Sequence, residues 1–102
     1  MLSFLKKLFG SGPDIAALLE EGATIVDVRT PGEYNSGHIK GSMNIPLDSL
    51  ASKTEKLKSK GTLILCCASG MRSGAGVRIL KGKGFEQVYN GGSWMSVKNK
   101  MK

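Results

Sequence analysis

The sequence predicts an α/β protein with a mostly parallel sheet. Four short apolar runs have strand length, and they alternate with helix-like stretches that begin and end at capping residues. These runs are 23–28 (ATIVDV), 42–45 (SMNI), 62–65 (TLIL) and 87–89 (QVY). With 102 residues, of which 40% are hydrophobic, the chain can bury one core and hardly two, so we expect a single domain.

Capping residues predict a helix after each run and one before the first. Pro13 and Asp14 open the first helix. Thr30, Pro31 and Glu33 supply a cap, a first-turn proline and a capping-box acid for the second. The expected helices span residues 15–21, 31–36, 49–59, 74–81 and 93–99. Four lysines of the third are expected to form a solvated face: Lys53, Lys56, Lys58 and Lys60.

The loop after the third run carries the residues suited to chemistry. Residues 66–73 read CCASGMRS and connect a buried strand to a helix, where backbone amides can converge on an anion. Such a setting, with Arg72 as a nearby cation, lowers a thiol pKa from ~8.5 to roughly 3.5–7.5. Gly70 allows positive φ and close approach to a ligand, and Ser73 is expected to cap the helix. We therefore interpret Cys67 as a nucleophile rather than a buried apolar residue.

This loop resembles the active-site loop of the rhodanese-like sulfurtransferases, which reads Cys-x-x-Gly-x-Arg-Ser/Thr. Residues 25–46 (IVDVRTPGEYNSGHIKGSMNIP) are similar to a second signature of that family, and residues 84–94 (GFEQVYNGGSW) to its closing segment. The resemblance covers about residues 13–95. It implies a rhodanese-like three-layer fold with a small, mostly parallel five-stranded sheet flanked by helices.

The resemblance also implies an activity. The Cys67 thiolate would take the outer sulfur of thiosulfate or another persulfide donor and pass it to a thiol or cyanide acceptor, including an acceptor protein. Loop amides would stabilise the anionic persulfide, so no cofactor is expected. The implied substrate-binding residues are Ala68, Ser69, Gly70, Met71, Arg72 and Ser73.

Other polar and aromatic residues near strand ends are expected to support the fold. Asp27 and Arg29 end the first run, close to the loop, because ligands collect at the carboxyl ends of parallel strands. We expect them to pair with each other and to orient the loop. His38 is expected to be a structural imidazole bonded to backbone, and Tyr89 and Trp94 to pack. One histidine and two adjacent cysteines cannot assemble a tetrahedral metal site.

Two alternatives stay open. Cell-cycle phosphatases and arsenate reductases resemble this fold, but their loops place five residues between cysteine and arginine, whereas four lie between Cys67 and Arg72. The smaller cradle suits a single sulfur better than a tetrahedral oxyanion. The other alternative is a non-catalytic interaction module.

The sulfur donor also stays open. Ala68 and Met71 replace basic residues of many relatives, so a protein or low-molecular-weight persulfide is as credible a donor as dianionic thiosulfate.

The charge distribution disfavours a nucleic-acid partner. The net charge is +7, but five lysines lie in the terminal segments, and residues 11–94 carry ten cations and eight anions without interleaved aromatic residues.

We expect a short amphipathic segment at residues 1–10, a domain at 11–99 and a basic tail at 100–102. No apolar run approaches the ~20 residues of a transmembrane segment, and no signal peptide is evident. The unpaired cysteines suit a reducing cytoplasm.

Overall fold

The computed structural model describes residues 13–101, and its four strands form one parallel sheet. The strand order is β2-β1-β3-β4, and every neighbouring pair is parallel. The strands are β1 (Thr24–Asp27), β2 (Met43–Asn44), β3 (Leu63–Cys67) and β4 (Val88–Ser93). The α/β class is confirmed. Within the described range the sheet has four strands rather than five, because only the four apolar runs form ladders.

Five α-helices and one 3-10 helix precede, connect or follow these strands in residues 13–101. They are α1 (Ile15–Glu20), α2 (Pro31–Asn35), α3 (Leu47–Leu50), the 3-10 helix (Thr54–Leu57), α4 (Met71–Gly82) and α5 (Trp94–Lys100). The Asp14 carboxylate caps α1 and the capping box of Thr30 and Glu33 is present, as expected. The expected segment at 1–10 lies outside the described residues. No helix in the described range is long and apolar enough to cross a membrane.

The prediction of one helix at 49–59 was wrong, because this segment contains the end of α3 and then the separate 3-10 helix. Leu50 and Leu57 are fully buried, but between them no side chain supplies an apolar face that would hold a continuous helix. The Ser52 hydroxyl donates to the carbonyl of Ser49 at 2.9 Å and so competes with helical hydrogen bonding. The four lysines of this segment are exposed, as expected.

The start of α4 also differs from the expectation. The helix begins at Met71, three residues earlier than expected, and its N-cap is Gly70 in the left-handed region with φ +104°. Ser73 therefore lies inside the first turn and does not cap the helix. Its side chain is available to contact the preceding loop instead.

The core occupies both faces of the sheet, and β3 lies at its centre. Leu63, Leu65 and Cys67 point into a cluster covered by α3 and α4, while Ile64 and Cys66 point into a second cluster covered by α1 and α5. A strand buried on both faces reads as a continuous apolar run, which explains the sequence LILCC. The two cysteines thus lie on opposite faces of the sheet, and Cys66 is a core residue, as expected.

Candidate functional site

The candidate site lies where β3 meets α4. Cys67 is the last residue of β3, and residues 68–70 turn the chain so that the N-terminus of α4 faces back toward its sulfur. Cys67 is only 1% exposed, whereas Ala68 and Ser69 are exposed at the surface. The thiol therefore lies at the bottom of a shallow loop rather than on its rim.

Hydrogen-bond donors surround the Cys67 sulfur. The Gly70 N–H donates to Sγ at 2.9 Å, the Ser73 N–H at 3.4 Å, and the Ser73 Oγ lies 3.5 Å from Sγ. Burial raises the pKa of Cys67, but hydrogen bonds from the Ser73 side chain and from the amides of Ser73, Gly70 and Ser69 outweigh it, so the pKa falls below its ordinary value. This environment favours a thiolate.

Cys66 has the opposite electrostatic environment although it is the adjacent residue. Its side chain is fully buried among apolar groups, and this burial raises the pKa of Cys66 to about 12. The nearby Asp27 carboxylate contributes to the same rise. Of the two adjacent thiols, only Cys67 therefore has a pKa below its ordinary value.

Gly70 gives the loop its shape. Its φ of +104° lies in the region that favours glycine, and a Cβ at this position would meet the backbone Cα of Gly92 at 3.3 Å. The expectation of a positive φ at Gly70 is confirmed. This conformation directs the Gly70 N–H at the sulfur.

Arg72 contacts a residue that the sequence analysis did not connect with the loop. Its guanidinium donates to both carboxylate oxygens of Glu33, at 2.7 and 2.9 Å. The hydrogen bond from Arg72, followed by that from the Thr30 backbone, lowers the pKa of Glu33 to about 2. The cation of the loop is therefore paired with an anion, and the hydrogen bonds to Sγ are the main cause of the lowered pKa of Cys67. The neighbouring Met71 is 82% exposed, and its uncharged side chain offers no cation to an anionic donor.

Asp27 and Arg29 form a buried pair, as expected. Both Asp27 carboxylate oxygens accept from Arg29 Nε, and Oδ2 accepts from Nη2 at 2.8 Å. The same guanidinium donates to the carbonyl of Gly37 at 2.7 Å and stacks 4.7 Å from the Trp94 ring centroid. Asp27 lies on the sheet face of Cys66, so the pair does not contact the Cys67 sulfur. It stabilises the connection from β1 to α2, which presents Glu33 to Arg72.

His38 and Tyr34 lie away from the loop. The His38 Nδ1 is 2.8 Å from the carbonyl of Tyr34, and the two rings stack with centroids 3.8 Å apart. The expectation of a structural imidazole bonded to backbone is confirmed. Trp94 packs against the second core cluster, as does Tyr89.

Asn90 makes a second loop contact that was not foreseen from the sequence motifs. Its Nδ2 donates to the carbonyl of Gly70 at 3.1 Å, and its Oδ1 accepts from the Ser73 hydroxyl at 2.7 Å and from the Gly92 N–H at 2.9 Å. A sequence signal was present, because an asparagine followed by two glycines near a strand end is typical of a side chain that bonds to local backbone.

Comparisons with known proteins agree with this geometry. A family model described as Rhodanese-like domain matches residues 11–100. The chain is 35% identical over 68 residues to the uncharacterized protein YqhL of Bacillus subtilis (strain 168), covering 67% of this chain and 54% of YqhL. It is also 35% identical over 74 residues to thiosulfate sulfurtransferase GlpE of Pseudomonas syringae pv. syringae (strain B728a), covering 72% of this chain and 70% of GlpE.

A solved structure leads to the same family. A rhodanese with anions from E. coli superposes with a TM-score of 0.68 at 28% identity, over 74% of this chain and 91% of that one. The match covers 54% of YqhL, so the chain spans about half the length of that protein. The family model, in contrast, extends over every strand, every helix and the Cys67 loop of the described range. The chain therefore belongs to the family of rhodanese-like domains.

Proposed function

We propose that this protein is a sulfurtransferase that carries a sulfane sulfur as a persulfide on Cys67. The observation that supports it most strongly is the set of donors at Sγ, which lowers the pKa of this thiol despite its burial. The relationship to a thiosulfate sulfurtransferase at 35% identity supports the same reaction.

In the first half-reaction, the Cys67 thiolate attacks the outer sulfur of the donor. With thiosulfate, a sulfur–sulfur bond to Sγ forms, the bond between the two thiosulfate sulfurs breaks, and sulfite leaves with that electron pair. The product is the anionic persulfide of Cys67. The amides that face Sγ can stabilise the negative charge on the attacking and accepting sulfurs, so no general base is needed.

In the second half-reaction, an acceptor removes the outer sulfur. A thiolate becomes a persulfide, or cyanide becomes thiocyanate, and the Cys67 thiolate is regenerated with the electron pair of the broken bond. Ser69, Gly70 and Ser73 act through the donors of the loop, while Ala68 and Met71 form its rim. We place this chemistry in the cytoplasm, where thiol acceptors stay reduced.

The donor is proposed to be a persulfide of low negative charge rather than thiosulfate alone. Arg72 is already paired with Glu33, and Ala68 and Met71 add no cation, so a dianion finds little uncompensated positive charge at the mouth of the loop. A low-molecular-weight or protein persulfide carries less negative charge, so it needs less positive charge at the loop. Phosphatase or arsenate reductase chemistry is less favoured, because the four residues between Cys67 and Arg72 form a smaller cradle.

The test compares the two neighbouring cysteines. Cys67→Ser should abolish thiosulfate:cyanide and thiosulfate:thiol transfer, whereas Cys66→Ser should keep most of it, since Cys66 lies in the core with a pKa raised to about 12. Mass spectrometry after incubation with donor should find one sulfur, about 32 Da, on Cys67 in the wild type and in Cys66→Ser. Full turnover by Cys67→Ser would exclude the proposed reaction, and a folded wild type that transfers no sulfur from any donor would favour a non-catalytic interaction module.

A further inference from the structure

The side chain of Asn90 joins the two groups that contact the Cys67 sulfur. It lies on β4, 20 positions from Gly70 in sequence, and contacts both the Gly70 peptide and the Ser73 hydroxyl. A bulge in the pairing of β3 with β4 follows it directly, since Leu65 pairs with Asn90 but Cys66 pairs with Gly92. Bulges redirect side chains next to active sites, and this one leaves the Asn90 amide over the loop.

The backbone around Asn90 determines which way its amide points. The Gly92 N–H can only donate, so the atom 2.9 Å from it is the oxygen Oδ1. The Gly70 carbonyl can only accept, so the atom 3.1 Å from it is Nδ2. Both constraints require the same orientation, and the assignment does not depend on any hydroxyl position.

This orientation determines where the Ser73 proton lies. The Ser73 Oγ is 2.7 Å from Oδ1 of Asn90, which cannot donate, so the single hydroxyl proton of Ser73 points to Asn90. While Cys67 is protonated, only lone pairs of Oγ then face Sγ, 3.5 Å away, and the hydrogen bond from Ser73 that lowers the Cys67 pKa forms when the thiol ionises. When Cys67 ionises, Sγ and Asn90 Oδ1 become two acceptors that compete for one proton.

The second contact acts on the other side of the sulfur. The Gly70 N–H is the shortest donor to Sγ, at 2.9 Å, and the carbonyl of the same residue accepts from Asn90 Nδ2 and from the Gly74 N–H. Asn90 thereby ties the left-handed Gly70 residue to β4. Without this bond, the loop is held in place at the Gly70 carbonyl only by the first turn of α4.

We infer that Asn90 is a positioning residue, which holds the Gly70 amide on the Cys67 sulfur and shares the Ser73 hydroxyl proton with it. The inference deepens the proposed function, because it concerns the same sulfur, but it can be tested without sulfur transfer. Asn90 itself does not contact Sγ. Its effect passes through Gly70 and Ser73.

The experiment measures the rate of Cys67 alkylation by iodoacetamide against pH, with the modified peptide identified by mass spectrometry. Cys66 should react much more slowly than Cys67, since it is fully buried and its pKa is raised to about 12. The charged pair already at the loop, Arg72 and Glu33, is retained in every variant, and only Asn90→Asp adds a charge. Thermal unfolding of each variant reports the purely structural effect.

In a Ser73→Ala background, Asn90→Leu acts only through Gly70, and it should raise the Cys67 pKa by about one unit, as expected for a weakened hydrogen bond to a thiolate. With Ser73 present, the released hydroxyl turns to the thiolate, so the same substitution should raise the pKa by a smaller amount. Asn90→Asp keeps the side-chain shape, and should raise the pKa further than leucine does, because a carboxylate holds the Ser73 proton and cannot donate to Gly70.

The matched control is Gln87→Leu, directly before the same strand. Gln87 loses an exposed side-chain bond to the Thr62 hydroxyl, 3.0 Å long, and the Cys67 titration should not change. An unchanged Cys67 pKa on Asn90→Leu in the Ser73→Ala background, or equal shifts with and without Ser73, would overturn the inference. Shifted titration curves in a protein whose wild type transfers no sulfur would leave Asn90 as assigned and reject only the proposed function.

Discussion

Replacing Gly70 by alanine should have two effects that can be measured separately: a loss of stability from backbone strain, and a rise in the pKa of Cys67. The backbone there has φ +104°, which costs an L-residue roughly 1–2 kcal/mol. The new Cβ would also meet the Cα of Gly92 at 3.3 Å, which leaves little room for the wild-type conformation. We expect the melting temperature to fall by roughly 4–16 °C, from ~4–8 °C for each kcal/mol in a domain of this size.

The larger effect should fall on Cys67. Relief of the strain moves the Gly70 N–H away from Sγ, to which it donates at 2.9 Å. A hydrogen bond to a charged group contributes ~1.5–3 kcal/mol, and 1.36 kcal/mol corresponds to one pKa unit, so the Cys67 pKa should rise by roughly one to two units. Below the wild-type pKa, the thiolate fraction and the alkylation rate should then fall about 10- to 100-fold.

The assay is the pH profile of iodoacetamide alkylation, recorded together with thermal unfolding. Gly84→Ala is the matched control, because Gly84 has nearly the same φ, +99°, with no atom within 4 Å of the added Cβ and no contact with the loop. It should lose similar stability and keep the wild-type titration. A Gly70→Ala protein that is destabilised but titrates like the wild type would refute the argument that this amide lowers the pKa.

Three further predictions concern the charge and size of the loop. Arg72→Ala should raise the thiosulfate KM several-fold with little change in circular dichroism, and unchanged kinetics would remove Arg72 from the site. Met71→Arg should lower that KM by ~2- to 10-fold at low salt, and added salt should reduce this gain. The control Met95→Arg, on α5, should leave the KM unchanged. A KM unaffected by Met71→Arg would mean that donor charge is recognised elsewhere. Inserting one residue after Ala68 should reduce sulfur transfer and create weak aryl phosphate hydrolysis, because the wider loop suits a tetrahedral oxyanion. A wild-type protein that already hydrolyses aryl phosphates faster than it transfers sulfur would show that the loop-size argument is wrong.

Features with local causes could be predicted from the sequence. The capping box of Thr30 and Glu33 uses residues three apart, and the Asp14 cap bonds to Ala17, so both are evident in a short stretch of chain. The apolar run of β3 predicts a strand without knowledge of its neighbours. The same holds for the loop, whose cysteine, glycine and arginine are close in sequence.

Contacts between distant parts of the chain could not be predicted in the same way. Arg72 and Glu33 are 39 positions apart, and their ion pair depends on how α2 packs beside the N-terminus of α4. Asn90 reaches Ser73 because of a bulge in β4, and a bulge follows from the pairing register rather than from composition. The helix expected at 49–59 failed for a related reason, since burial at Leu50 and Leu57 decides the path of that segment more than helix propensity does.

The near-complete burial of Cys67 has a consequence for the timing of its exposure. The resting thiol is 1% exposed, which shields it from oxidants that would convert it to higher oxidation states. In the proposed reaction, the transferred sulfur is bonded ~2.05 Å beyond Sγ, and we expect it to lie nearer the exposed loop residues Ala68 and Ser69 than Sγ does. In the proposed reaction, the loaded protein therefore holds its reactive sulfur nearer the surface than the unloaded protein holds its thiol. Burial then slows the oxidation of the resting thiol, and loading brings the sulfur within reach of an acceptor.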